Sequence, residues 1–182
     1  MKLEMQHTEK TIRRLARVQY DTYCQSQKLV TLLFSIVLLV LGVWNCFDET
    51  TSIVLMAFGC FTITGLNAPA DRNAKKMIEY VKGDFPVSQF QFDEHAVIIT
   101  GDDQQTALKY QDIYSLICDG PYLYLFLNKL SAYMISLESL DSQKTVELKT
   151  MLERKTGLLV EKPGSLLSIN LRSLLGKPRK GK

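Results

Sequence analysis

Polar and apolar residues are distributed very unevenly along this chain. From 29 to 47 it reads LVTLLFSIVLLVLGVWNCF, with no charged side chain. A second uncharged run covers 50–70, although Asn67 and Pro69 confine its strongly apolar part to 52–66. A helix of about 20 residues rising about 1.5 Å each crosses a hydrocarbon core of about 30 Å. The pattern therefore predicts a transmembrane helical hairpin over 29–68, with helices at 29–47 and 51–68 and the polar stretch FDETTS at its tip. The second helix is short for this purpose and calls for a slight bilayer adjustment or support from the first. Two helices apolar on every side do not suit the core of a small soluble protein, which has too little mass to surround them. A cleaved secretory signal fits poorly as well, because the first run is too long and lacks a small-x-small cleavage site.

The rhythm changes on either side of the hairpin. Residues 1–28 predict a juxtamembrane helix: Thr8 is a capping residue, and Ile12, Leu15, Ala16, Gln19 and Tyr23 follow at three- and four-residue steps. Residues 69–83 are basic and helix-compatible, and read as a stalk. From 84 to 160 the chain is dense in Val, Ile, Tyr, Phe and Leu, broken by turn residues at 93–94, 101–104, 119–121 and 128–129. This spacing predicts six strands, at 85–92, 95–100, 105–110, 113–119, 122–127 and 131–137. Connections so short favour antiparallel pairing, since parallel neighbours need long crossovers. A helix follows, capped by Asp141 or Ser142, with Val146, Leu148, Met151 and Leu152 on its apolar face and Gly157 as its stop. The expected fold is thus a membrane-anchored α+β chain, in which a small, bent antiparallel sheet is capped by a C-terminal helix. Residues 161–182 form a basic amphipathic tail, with Leu166, Leu167, Leu171, Leu174 and Leu175 on one side.

Charge orients this picture. Lys2, Lys10, Arg13, Arg14, Arg17 and Lys28 precede the hairpin, and Arg72, Lys75, Lys76 and Lys82 follow it, while the connecting loop carries only Asp48 and Glu49. The excess of Lys and Arg on the flanks predicts that both termini are cytoplasmic, in a multi-pass protein of the cytoplasmic membrane. Trp44 falls near the opposite surface, where an amphipathic indole is favoured. Contact with the headgroups is expected from Arg13, Arg14, Arg17, Arg72, Lys75 and Lys76, and from Lys177, Arg179 and Lys180 in the tail. Between 84 and 161 there are 12 acidic and 6 basic residues, whereas 162–182 has 6 basic residues and no acidic one. An acidic domain argues against nucleic-acid binding, which needs a basic surface.

Small residues matter inside a membrane, where close packing rather than hydrophobicity brings helices together. Thr31, Ser35, Gly42 and Cys46 fall near one face of the first helix, and Ala57, Cys60 and Thr64 near one face of the second. These faces are expected to pack on each other, with a homo-oligomer contact as the alternative use. No ionisable group lies mid-membrane, so a transport pathway through this chain alone is not expected.

Signs of chemistry are sparse. His95 beside Asp93 and Glu94 is the nearest approach to a metal-binding constellation, but acidic residues are also common at strand turns. Cys24, Cys46, Cys60 and Cys118 show neither CxxC nor zinc-ligand spacing. Phosphate-binding, metalloprotease and nucleophile-elbow motifs are missing from the sequence. No catalytic residue, metal or cofactor is expected.

Four segments carry a resemblance: Phe90-x-Phe92-Asp93-Glu94 running on to Ile98, Tyr110-x-Asp112-Ile113, Leu123-Tyr124-Leu125-Phe126, and the step Met134-Ile135-Ser136-Leu137-Glu138-Ser139-Leu140. Together with two membrane helices near the N-terminus, they resemble the bacterial YcxB-like proteins over most of residues 8–157. Where that family often has Pro followed by a basic residue, this chain has Ser136-Leu137-Glu138. The resemblance implies a cytoplasmic domain of pleckstrin-homology-like architecture on a two-helix anchor, and brings no activity and no functional residues with it. The expected function is that of a non-enzymatic protein-interaction module, an accessory subunit of a membrane complex. A membrane-resident immunity or resistance factor and a lipid-surface-binding domain are the alternatives.

Overall fold

The computed structural model describes residues 1–44, 48–85, 87–101 and 104–164. The chain begins with a strand, β1 (Lys2–Gln6), whose alternating burial sends Leu3 and Met5 into the core. Thr8 then opens α1 (Glu9–Tyr23): its hydroxyl accepts from the Thr11 amide, while the Thr11 hydroxyl accepts from the Thr8 amide. This reciprocal cap satisfies donors that the first helical turn leaves unpaired. One residue, Cys24, separates α1 from α2 (Gln25–Val43). The return leg is α3 (Glu49–Thr64), capped by Asp48, then a single 3-10 turn (Gly65–Asn67) and α4 (Ala68–Val81). Pro69 does not end the second arm, because it lies in the first turn of α4, where a proline's fixed φ and missing N–H cost nothing.

α2 packs on α3 and α1 packs on α4, so these helices form one long antiparallel hairpin of two arms. Among the described residues two helical stretches are long and apolar enough to cross a membrane, Gln25–Val43 and the whole return arm Glu49–Val81.

The remaining strands are β2 (Val87–Phe92), β3 (Ala96–Thr100), β4 (Gln105–Lys109), β5 (Ser115–Asp119), β6 (Tyr122–Phe126) and β7 (Ala132–Ser136), followed by α5 (Ser142–Thr156) and β8 (Val160–Glu161). The antiparallel α+β character expected from the sequence is present, with three corrections. There are two four-stranded sheets, ordered β1-β2-β3-β4 and β7-β6-β5-β8, instead of one small sheet. β1 pairs antiparallel with β2 across more than eighty residues of sequence, so 1–28 is a strand plus a helix and belongs to the folded domain. β8 lies parallel to β5, aligning Val160 with Leu116. In addition, 69–83 is no free stalk, since α4 is packed along α1.

A single core joins these parts. Leu3 and Met5 of β1, Leu15 and Val18 of α1, Phe90, Leu123, Leu125, Met134 and Leu152 all belong to it. β6 is buried along nearly its whole length, from Leu123 to Phe126. Alternation along a strand sends Leu123 and Leu125 one way and Tyr124 and Phe126 the other. The second pair lies under α1, because Tyr23 meets the Phe126 ring edge-on at 5.1 Å. Gly157 ends α5 at φ 70°, the left-handed conformation that glycine adopts without strain.

Candidate functional site

The hairpin is built inside out. Between α2 and α3 lie Ser35, Gly42, Ser52 and Gly59, all buried. Large apolar side chains such as Phe34, Val37, Phe58 and Phe61 point outward, Phe61 being 73 % exposed. A soluble hairpin does the reverse, because burying large apolar side chains is what holds it together in water. Here the contact depends on close approach. A Cβ on Gly42 would stand 2.6 Å from Met56 Cγ, and one on Gly59 would stand 2.8 Å from Leu39 Cγ. Ser35 and Thr62 share a hydrogen bond across the interface at 2.7 Å.

The β domain is fixed to the hairpin through α1. At one end, Arg14 Nε donates to Asp119 Oδ2 at 2.6 Å and its terminal nitrogen donates to the Asp119 carbonyl at 3.3 Å. The same guanidinium lies 5.0 Å above the Tyr122 ring. The hydrogen bond to Asp119 raises the Arg14 pKa, which is a stabilisation of the cation. Gly120 makes this contact possible: its φ is +57°, and a Cβ there would stand 3.0 Å from the Arg14 guanidinium. In the middle, Gln19 Nε2 donates to the Lys129 carbonyl at 2.7 Å. At the far end, Tyr23 hydrogen bonds to the Ser115 hydroxyl and packs on Tyr114 and Phe126. Beneath this seat Tyr124 is fully buried; its hydroxyl finds no hydrogen-bond partner among the described residues, and burial raises its pKa. On the other side of α1, Arg17 pairs with Asp71 of α4 at 3.2 Å, and Ala70 and Ala74 let the two helices approach closely.

Among the described residues β4 has no strand on its outer side. β4 ends its sheet, with Gln105, Thr106, Ala107 and Lys109 exposed and Leu108 alone turned inward. The opposite edge, β1, lies against β7. The β2–β3 turn is held differently: Lys155 Nζ donates to the carbonyls of Asp93 and Glu94 at 2.7 and 2.8 Å and sits 4.7 Å above the Tyr110 ring. Among the described residues no three metal-ligating side chains come together.

The residues singled out from the sequence fall into three groups. Ser35 and Gly42 lie in the α2–α3 interface and Thr31 at its margin, half-buried. Ala57, Cys60 and Thr64 need correcting, because all three are exposed on the opposite side of α3. α3 carries two stripes of small residues, and the one holding Gly59 packs on α2, since only a glycine admits Leu39 this closely. Ser52, Gly59 and Thr62 were the residues missed; their seven- and three-residue spacing was the available signal. Among the basic residues, Arg72, Lys75 and Lys76 are exposed along α4. Arg14 and Arg17 pair with Asp119 and Asp71, and Arg13 lies 3.8 Å from Glu9 of the same helix. Cys46, Lys177, Arg179 and Lys180 lie outside the described residues.

Residues 92–152 match the family described as YcxB-like protein. The match runs from the end of β2 to Leu152 in α5, and all four segments that carried the resemblance fall within it or overlap its start. That stretch is similar to the YcxB-like family. No curated protein and no solved structure matches the chain.

Proposed function

We propose, from the premise that residues 92–152 are YcxB-like, that this chain is a non-enzymatic membrane-anchored interaction module. Its apolar hairpin spans the bilayer twice, with both termini on the cytoplasmic side. Its folded domain, read as pleckstrin-homology-like, presents the open β4 edge to a protein partner. The observation that carries the membrane part is the inside-out hairpin: glycine and serine within, Phe34, Phe58 and Phe61 without. In lipid this arrangement leaves no apolar side chain in water, and close backbone packing supplies the helix contact. The pleckstrin-homology-like reading is supported by two antiparallel sheets closed by a single C-terminal helix. The partner reading is supported by β4, whose exposed row of backbone groups is a template for strand addition. The domain cannot swing freely on its anchor, because α1 is at once part of the domain core and the continuation of α2. A partner captured at β4 is thus held at a set height above the bilayer.

The test is a photoreactive side chain placed at Ala107 in the full chain, in native membranes, with Val146 on α5 as the comparison site. A single defined adduct at 107 and none at 146 is the expected result. No adduct at 107 under conditions that label lipids at Phe34 would remove the β4 reading while leaving the anchor in place.

A further inference from the structure

We propose that the β6–β7 turn and the residue before β5 form a second membrane contact, through which the domain rests on the headgroup layer of the same bilayer that holds the hairpin. The inference builds on the membrane reading above and adds a surface to it.

The geometry follows from how β6 lies along α1. Arg14 sits over Tyr122, and Tyr23 packs on Phe126. Nine residues of helix separate the first pair of contacts on α1 and four residues of strand separate them on β6. At about 1.5 Å per helical residue and about 3.4 Å per strand residue, both amount to roughly 13.5 Å. Helix and strand therefore run side by side, and both point toward α2. The turn that follows β6 folds back to the level of Gln19, about one helical turn before Tyr23 and still on the half of α1 nearer α2. Gln19 fixes its height by its bond to the Lys129 carbonyl, and Tyr23 fixes Tyr114, their ring centroids 6.1 Å apart. Measured along the helix at about 1.5 Å per residue, Tyr23 stands roughly 9 Å and Gln19 roughly 15 Å before Leu29, where the uncharged run begins. The headgroup layer takes up about 5–8 Å of that distance. Tyr114, at the Tyr23 level, reaches it, and the turn at the Gln19 level stands roughly 7–10 Å above it.

The residues at this end have the chemistry for that layer. Leu130 is 84 % exposed at the tip of a turn, and Tyr114 is 50 % exposed. The turn is held in shape by Asn128, whose side-chain oxygen accepts from the amides of Leu130 and Ser131 at 2.7 and 2.8 Å. An exposed leucine on a rigid turn has no role in the core. Lys129 precedes it, and no acidic residue lies between 120 and 137, in a domain otherwise rich in them. An aromatic with a polar tip, a lysine and a single apolar wedge suit an interface where headgroups meet water. Gly164 lies against Asp21 and Gln25, at the junction of α1 and α2.

The experiment uses the chain's single tryptophan. Wild-type protein in lipid nanodiscs is first read for quenching of Trp44 by chain-brominated lipids. Next, Leu130→Trp and Val146→Trp are each made on Trp44→Phe, and quenching by a lipid with a nitroxide on its headgroup is compared. Val146 is exposed on α5 and controls for the affinity of tryptophan itself for interfaces. The expected result is quenching of Trp44 by brominated lipid, and headgroup quenching at least threefold stronger at 130 than at 146. Tyr114→Trp provides a second probe of the same surface. Equal, weak quenching at 130, 114 and 146 alongside a quenched Trp44 overturns the inference and leaves the hairpin reading intact. An unquenched Trp44 overturns both.

Discussion

Gly42 and Gly59 decide how α2 and α3 meet, since a methyl group at either would stand under 3 Å from a neighbouring side chain. Gly42→Leu is expected to destabilise the hairpin by about 1–3 kcal/mol, the usual cost of overpacking a close contact. Cys60→Leu, on the exposed side of α3, is expected to change stability by under about 0.5 kcal/mol. Thermal unfolding of both variants in one detergent checks the pair, and equal losses would place the interface on the wrong face. His7 offers a different test. It follows β1, its Nδ1 is buried without a partner among the described residues, and burial lowers its pKa from the ordinary 6.5. The unfolded chain takes up a proton near pH 6.5, whereas the folded protein resists it until a lower pH. Stability is therefore lost as pH falls through that range and levels off below the folded value. Unfolding midpoints between pH 5 and 8 should show a shallower acid limb for His7→Gln than for wild type. Parallel limbs would assign the slope to carboxylates instead.

At the scale of elements, β1 is short but contributes to the core out of proportion to its length. Leu3 and Met5 are both buried in the domain core. Leu3→Ala is expected to cost about 2–5 kcal/mol, as large-to-small core changes do. A loss as small as that of an exposed site would mean that the strand is only loosely attached. The alternation Lys-Leu-Glu-Met-Gln stands in the sequence, but 1–28 reads there as a helix: the partner β2 lies beyond the whole hairpin, and nothing local points to it. Strands β2 to β7 were legible for the opposite reason: each follows the last within a few residues, and Asp, Gly, Pro and Asn mark the turns, whereas β8, paired with β5 some forty residues back, was missed. α1 was recognisable as a helix from Thr8 and its periodic apolar residues, but its burial on two sides was not. The stripe Ile12, Leu15, Ala16, Gln19 and Tyr23 left out Val18, which joins Leu15 in the core, and Arg17, which pairs with Asp71 of α4.

For the molecule as a whole, the consequence is a domain that is discontinuous in sequence. Its first strand and first helix precede the hairpin, and the other strands follow it. A fragment comprising 84–164 lacks Leu3, Met5, Leu15 and Val18 and is expected to show no cooperative unfolding transition. Joining 1–23 to it through a flexible linker as long as α1 should restore one. Circular dichroism melts of the two fragments check this, and a cooperative melt of 84–164 alone would show that β1 and α1 are dispensable. The same architecture gives the domain its fixed seat. Because α1 both fills the core and leads into α2, the orientation of the domain on the hairpin is set by packing and not by a linker.

The sequence by itself determined the local elements: two long apolar helices, six antiparallel strands, a capped terminal helix and a YcxB-like pattern. Periodicity, turn residues and caps act over a few residues, so a linear reading captures them. The tertiary structure decided which small-residue stripe of α3 faces α2, which arginines are engaged by carboxylates, and that the N-terminal strand closes the domain. Those outcomes depend on contacts between residues far apart in the chain, where close approach and charge pairing choose among faces that look alike in sequence.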